Sequence, residues 1–289
     1  MAAQIYLNVA VSGLLTGLVY GLMALGLSVI FGVVRVVNFA HGEMMTIAMY
    51  LAIVCFSALK LDPLLMVVPI AAVLFAFGYA LQAGLINPFI TRPEHSQFML
   101  LVAVAIILVN AMLMIFGPDA RNVQTDYQLE SWEFGRILVD KARLYAAAAA
   151  LVATAALFAF FRMTLTGKAI RACADNHLGA QVVGLNVKHL YALTFGLGSA
   201  CLAVAGCAMV MLVEVSPALG PAYTLLAFVI VIVGGLGSMG GALLGGVLIG
   251  VSEALAGLYI APSAKSMFSF ALLILVLLFR PQGLLGRKT

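Results

Sequence analysis

Long uncharged runs separated by short clusters of charge set the pattern of this chain. No Asp, Glu, Lys or Arg occurs from Met1 to Val34, Pro63 to Thr91, His95 to Pro118, Leu144 to Phe161, His189 to Val213 or Val215 to Ser252. A helix needs about 20 apolar residues to cross roughly 30 Å of hydrocarbon, and backbone groups in lipid must be paired internally. The runs therefore predict an all-α, polytopic membrane protein with eight or nine spanning segments. The first ends at Arg35, and the second runs from about Asn38, a suitable N-cap, to Leu59. A third covers Leu64 to Ile86, and Asn87-Pro88 with Arg92-Pro93 breaks the pattern before a fourth from Ser96 to Phe116. A fifth spans Leu144 to Phe161, a sixth runs from Lys188 to about Glu214, and the last covers Met267 to Phe279. Between them, Leu225 to Val233 and Ala242 to Ala256 flank the stretch GGLGSMGG. They read either as two thin spans or as one hairpin of glycine-broken half-helices, and both return the chain to the same side.

Composition turns this pattern into an exclusion. Of 289 residues, 64% are apolar and 9% charged, against about 25% charged in a soluble chain. A water-soluble globule of this size needs far more polar cover. The first run has no Lys or Arg before Arg35 and no small-residue cleavage pattern, so it is expected to persist as a spanning helix. Positive charge at its C-terminal end alone predicts an outer (periplasmic) N-terminus and, by alternation, a cytoplasmic C-terminus carrying Arg280, Arg287 and Lys288. Residues 119–143 are dense in charge and contain Trp132, the sole tryptophan, which predicts a periplasmic segment. Residues 163–188 predict a cytoplasmic loop, and residues 1–289 as a whole read as a single transmembrane domain. Cys55, Cys173, Cys201 and Cys207 show no ligand spacing and read as packing residues. The net charge of +4 is scattered, so nucleic-acid binding has no support.

Candidate chemistry is sparse. Gly13, Gly17 and Gly21 recur every fourth residue and form a smooth stripe for close helix approach, within one subunit or between two. Asn38, His41 and Glu43 open the second span. They read either as cap and first-turn residues complementing exposed amides, or as groups retained at membrane depth because they line a path or gate. Glu253, inside an apolar segment, reads as path-lining or as a buried structural hydrogen bond. Gly235, Gly237 and Gly240 lie in a stretch without the lysine and hydroxyl residue of a phosphate loop, so they are candidates for an irregular path-lining segment or for tight packing. Gly167-Lys168 is followed by Ala169 and is no phosphate loop either, so ATP hydrolysis is not expected of this chain. Zinc-protease and serine-hydrolase motifs are missing, and no metal or cofactor is expected. On these residues alone, an ion-coupled secondary transporter or a channel stays open, because Glu43 and Glu253 are acids in apolar surroundings.

The loop sequence LTGKAIRACADNHLGAQVVGLN fits a short amphipathic helix and a docking element. Its GKAIRACADN, followed by Ala180 and Gly184, resembles the coupling segment of ABC importer permeases. The resemblance extends through VYGLMALGLSVIFGVVRVVNFAHGEMMTIAMYLA, ALTFGLGSACLAVAGCAM, IVGGLGSMGGALLGGVLIGVSEAL and SFALLILVLLFRPQGLLG. In nearly its whole length the chain is similar to permeases of bacterial high-affinity branched-chain amino-acid importers, the LivH type. That resemblance implies an inner-membrane permease working with a second homologous permease, two cytoplasmic ATPase subunits and a periplasmic binding protein that delivers leucine, isoleucine or valine. It implies that Gly167, Arg171, Ala172, Asp175, Asn176 and Gly184 lie in the ATPase-coupling segment. Relatives of similar appearance are associated with other amino acids, amides or urea, so the substrate stays open at this point.

Overall fold

A computed structural model describes residues 2–125, 127–128, 130–134, 137–259 and 265–286; Arg287 and Lys288 of the basic tail lie outside them. Eleven helices are present among the described residues: α1 (Ala2–Val34), α2 (His41–Leu59), α3 (Val67–Ala80), α4 (Glu94–Phe116), α5 (Lys141–Met163), α6 (Leu165–Asp175), α7 (His177–Val182), α8 (Val187–Met209), α9 (Leu219–Gly234), α10 (Met239–Tyr259) and α11 (Lys265–Phe279). Seven are long and apolar enough to cross a bilayer, while α9 and α11 are shorter apolar helices. With α6 and α7 set apart at one end, nine segments run between the two ends of the bundle, within the expected eight or nine.

The two ends are built differently. At one end β1 (Ser131–Phe134) and β2 (Ile137–Asp140) form an antiparallel hairpin, a detail the charge density of this segment did not reveal. Asn8 Oδ1 accepts from Leu138 N (3.2 Å), and Tyr6 stacks on Tyr259, so the starts of α1 and α5 and the end of α10 gather there. The Tyr127 hydroxyl bonds Asp62 and burial beside that carboxylate pushes its pKa well up. The opposite, loop end collects the ends of α1, α5 and α9, the α6–α7 pair and the segment after α11.

α3 does not stop at Asn87-Pro88. It continues through one π turn (Leu81–Ile86) into a 3₁₀ turn (Asn87–Phe89), because Pro88 occupies an early position of that turn, where no intrahelical N–H is required.

The core is organised by α1 and α8. α10 lies along α1 and α3 along α8. The Gly17 stripe serves packing within this chain: a Cβ on Gly246 would lie 2.3 Å from Gly21 N, and one on Gly17 2.7 Å from Gly246 O. Without side chains at these positions the two backbones touch, the small-residue packing that substitutes for a hydrophobic driving force in lipid.

GGLGSMGG resolves into two helices joined by a tight turn, the first of the two alternatives. Gly235 (φ 108) and Gly237 (φ 75) adopt left-handed conformations that only glycine takes without strain. The turn sits at the loop end rather than midway through the bundle: Gly237 abuts Gly32 near the end of α1, and Leu284 N and Leu285 N donate to the carbonyls of Val233 and Gly234 (2.9 Å each).

Candidate functional site: a cleft at the start of α2

α2 does not begin at Asn38 at the surface. α1 ends at Val34, and the left-handed φ of 59° at Arg35 reverses the chain, at a cost of roughly 1 kcal/mol for a non-glycine residue. The chain then re-enters the bundle, with Val36, Asn38 and Ala40 buried and Arg35, Val37 and Phe39 more open, the alternation of an extended segment. It delivers His41 to the level of Met23, about 16 Å back along α1 by helical rise. There His41, completely buried, donates from Nε2 to Met23 O (3.0 Å). A carbonyl only accepts, so Nε2 carries the proton and Nδ1, buried without a partner, is left as an acceptor.

The helix start is therefore inside the bundle and is not capped in the expected way. Ala40 is its N-cap residue and offers no side-chain bond. Asn38 Oδ1 accepts from Ala40 N (3.0 Å), and its Nδ2 points to Met44 Sδ (3.8 Å). Caps usually sit where the surface supplies alternatives; here Asn38 satisfies one amide just ahead of the helix instead.

α9 also starts inside the bundle, after the stretch from Val215, which is tied to Arg121 at the hairpin end, to Ala218. The two helix starts meet. A Cβ on Gly42 would lie 2.0 Å from Gly220 O and 2.5 Å from Thr224 N, so only glycine permits this approach. Gly42 N donates to Thr224 Oγ1 (2.8 Å), and Thr224 Oγ1 donates to Glu43 Oε2 (2.9 Å). One hydroxyl thus links both helices to the carboxylate, and the positive ends of two helix dipoles converge on that carboxylate.

Beside this junction a cleft of about 420 Å³ opens between α2, α4 and α9. Its walls are mainly apolar, including Phe39, Val102, Ala105 and Val109, with Glu43, Thr224 and Asn110 as its polar members. Phe39 closes one side, packed edge-on against Phe98 (4.7 Å) and against Phe228 (5.1 Å). Ile106, Asn110, Pro221 and Leu225 on the rim are exposed, so the cleft opens on the outside of the bundle midway between its ends.

The other expected residues lie elsewhere. Glu253 does not line the cleft; its Oε1 accepts from Ser269 on α11 (2.6 Å), and it also shares a side-chain hydrogen bond with Tyr20 on α1. Gly235, Gly237 and Gly240 belong to the loop-end turn. At that same end, Thr164 Oγ1 caps α6 by accepting from Gly167 N (2.9 Å), and Asn176 Oδ1 caps α7 by accepting from Gly179 N (2.9 Å). The single amphipathic helix expected in this loop is two helices, because Asn176 is extended (φ −150, ψ 98) between them. Gly167 is buried against the backbone of Phe160 and Phe161, whereas Arg171, Ala172, Asp175 and Asn176 are exposed. Gly184 (φ 85) closes α7, with Leu185 N donating to Ala180 O (3.0 Å). Leu165, Leu178, Val182 and Val183 add an exposed apolar fringe, and burial raises the Cys173 pKa beneath it.

Asn110, Thr224 and Phe39 were not singled out from the sequence, and Gly220-Pro221, which reads there as an outer turn, lies in the first turn of α9. Asn110 and Thr224 are uncharged polar residues inside apolar runs, and nothing in their local pattern sets them apart from helix-packing residues.

A bundle of seven long and two shorter apolar helices among the described residues, with a mainly apolar cleft holding a few polar groups at mid-depth and a paired-helix platform at one end, defines a multi-pass transport permease. The chain belongs to the family described as the permease component of branched-chain amino acid transport systems, whose profile matches residues 9–277. It is 32% identical to the high-affinity branched-chain amino acid transport system permease protein BraD of Pseudomonas aeruginosa, over 98% of this chain and 96% of that one. It is 31% identical to the corresponding LivH of Escherichia coli, with the same coverage. A probable branched-chain amino acid transport permease of Methanocaldococcus jannaschii is 26% identical over 92% of this chain and 88% of that one. Among solved structures, PsaBC from Streptococcus pneumoniae in complex with Fab is similar in fold, with a TM-score of 0.50, 15% identity and coverage of 94% and 91%.

Proposed function

We propose that this chain is the membrane-spanning permease subunit of an ATP-driven importer of branched-chain amino acids in a bacterial inner membrane. Its partners are a second homologous permease, two cytoplasmic ATPase subunits and a periplasmic binding protein. The observation that carries the reading is the exposed α6–α7 platform on a chain of this permease family. α6 packs on α5 and on α1, and α7 on α8, so a push on the platform reaches helices that border the core. Arg171, Ala172, Asp175 and Asn176 are the contact residues of the platform, and Gly167 and Gly184 give it its shape.

In this reading the loop end is cytoplasmic and the hairpin end periplasmic. Arg35, Arg92, Arg162, Lys168, Arg171, Lys188 and Arg280 fall at the loop end against Lys60, Arg121, Lys141 and Arg143 at the hairpin end, a modest bias in the direction of basic residues inside. Residues 119–143 then face the binding protein and residues 163–188 form the coupling loop. Of the residues singled out for a path, Glu43 borders the route taken by substrate, with Asn38 and His41 holding the start of α2 behind it. Glu253, Gly235, Gly237 and Gly240 shape the helices around that route. Nucleotide-driven closure of the ATPases shifts the permease between outward-open and inward-open states by contacting the two states differently.

The test is co-purification of the ATPase subunits with Arg171→Glu. Reversing this charge is expected to abolish ATPase capture or its stimulation by loaded binding protein, while the permease still folds and inserts. A fully stimulated, intact complex contradicts the assignment.

A further inference from the structure

The cleft poses a physical problem in the isolated chain. It opens midway through the bundle, where hydrocarbon would otherwise lie, yet it presents a carboxylate and an amide side chain. The α9 start beside it has no side-chain cap; Leu219 N donates to Ser216 O and Pro221 has no N–H, so Gly220 and Ala222 carry the remaining first-turn amides. Ala222 and Pro221 in that turn are exposed. Unpaired amides and ionisable groups are not tolerated against lipid, but they are suited to a wet cavity or a polar ligand.

The donor set is specific. Glu43 is buried, and its bond from Thr224 leaves a carboxylate able to accept further hydrogen bonds. Asn110 spends its Nδ2 on Ile106 O (2.8 Å), which leaves Oδ1 as an acceptor at the rim. Two acceptors thus line one region, with the exposed Ala222 at the α9 start beside them and a wall of Val102, Ala105 and Val109 below. The volume of about 420 Å³ falls among small-molecule sites, which span roughly 300–1,000 Å³.

We infer that the cleft between α2, α4 and α9 is a membrane-embedded binding site for a zwitterionic amino acid with an aliphatic side chain. The ammonium group bonds Glu43 and the Asn110 carbonyl, the carboxylate takes the Ala222 amide at the α9 start, and the side chain lies along α4. Thr224 positions Glu43. The open face of the cleft is closed by the second permease, since no lipid can cover these groups. This assignment rests on the importer reading.

Cysteine accessibility in the assembled importer tests it. Ala105→Cys is introduced with the four native cysteines replaced by alanine, and the complex is reconstituted with ATP and the binding protein. A small charged methanethiosulfonate is expected to label Ala105→Cys but not Ile107→Cys, an exposed α4 position outside the cleft. Leucine is expected to slow the labelling about tenfold at roughly ten times its dissociation constant, where about one site in ten stays empty. 4-Methylpentanoate, which lacks the ammonium group, is expected to give no protection. Glu43→Gln should keep the labelling and lose the leucine protection. Val102→Cys provides the same readout should Ala105→Cys fail to assemble. Labelling no faster than at Ile107→Cys, or unchanged by leucine, overturns the site. The two levels separate: ATP-driven leucine uptake with unprotected labelling refutes the cleft alone, whereas leucine uptake that needs no ATP refutes the importer reading.

Discussion

Thr224 carries an unusual share of the junction for one hydroxyl, accepting from Gly42 N and donating to Glu43. Thr224→Val keeps the shape and deletes both bonds. Leaving a buried donor and acceptor unsatisfied costs about 1–3 kcal/mol each, so this variant is expected to lower thermal stability in detergent and to reduce uptake severely. Thr224→Ser restores the hydroxyl and should recover most of both, and equal behaviour of the Val and Ser variants would remove the bond from the account. Gly42→Ala is expected to be worse, since its Cβ meets the Gly220 carbonyl at 2.0 Å; overpacking typically costs about 1–3 kcal/mol. At this scale the sequence was half legible. Asn38, His41 and Glu43 stand out as polar residues after a long uncharged run. Asn110 and Thr224 do not, because their role arises from the meeting of α2, α4 and α9, which no local pattern encodes.

Helix existence was legible wherever charge bounded an apolar run, and helix starts were not. The re-entry from Arg35 to Ala40 looks in sequence like any short connection, because what distinguishes it is the reversal at Arg35 and the burial of alternate residues. Asn38 accordingly read as a surface cap, and α2 begins three residues later and deep inside. The GGLGSMGG stretch allowed a mid-depth break, and the structure makes it a turn because Gly235 and Gly283 bring the segment after α11 against the end of α9. The glycine spacing of α1 was a correct guide to close packing, although its partner, Gly246 with Gly250 on α10, was not foreseeable. These contacts give a paired prediction: Gly246→Leu drives a side chain into the Gly21 backbone and is expected to lower the folded yield by size-exclusion chromatography. Gly240→Ala, whose nearest neighbour is Leu285 Cδ1 at 3.8 Å, should leave it unchanged. Equal losses would mean that close approach is not what holds α1 to α10.

Across the whole molecule the loop end is predominantly basic, whereas the hairpin end mixes both signs, with Lys60, Arg121, Lys141 and Arg143 among its acids. Those acids are Asp62, Asp119, Glu130, Glu133, Asp140 and Glu214. This bias, together with the start of α1 at the hairpin end and the segment after α11 at the loop end, leads to a topology prediction. A cysteine at Gln124, exposed in the same segment, is expected to react with an impermeant reagent added to spheroplasts, and one at Asp175 only after permeabilisation. The reverse pattern would invert the chain and detach α6–α7 from any cytoplasmic motor.

The central claim is that the bundle supplies a gate and a path, while the work comes from separate ATPases acting through α6 and α7. Its most direct test is leucine uptake into proteoliposomes holding the complete importer, with ion gradients collapsed, comparing complexes with and without the ATPase subunits. The account predicts ATP-dependent uptake by the complete complex that persists without ion gradients and disappears both on omitting the ATPases and in Arg171→Glu. Uptake by the permeases alone, driven by an imposed ion gradient, would contradict it.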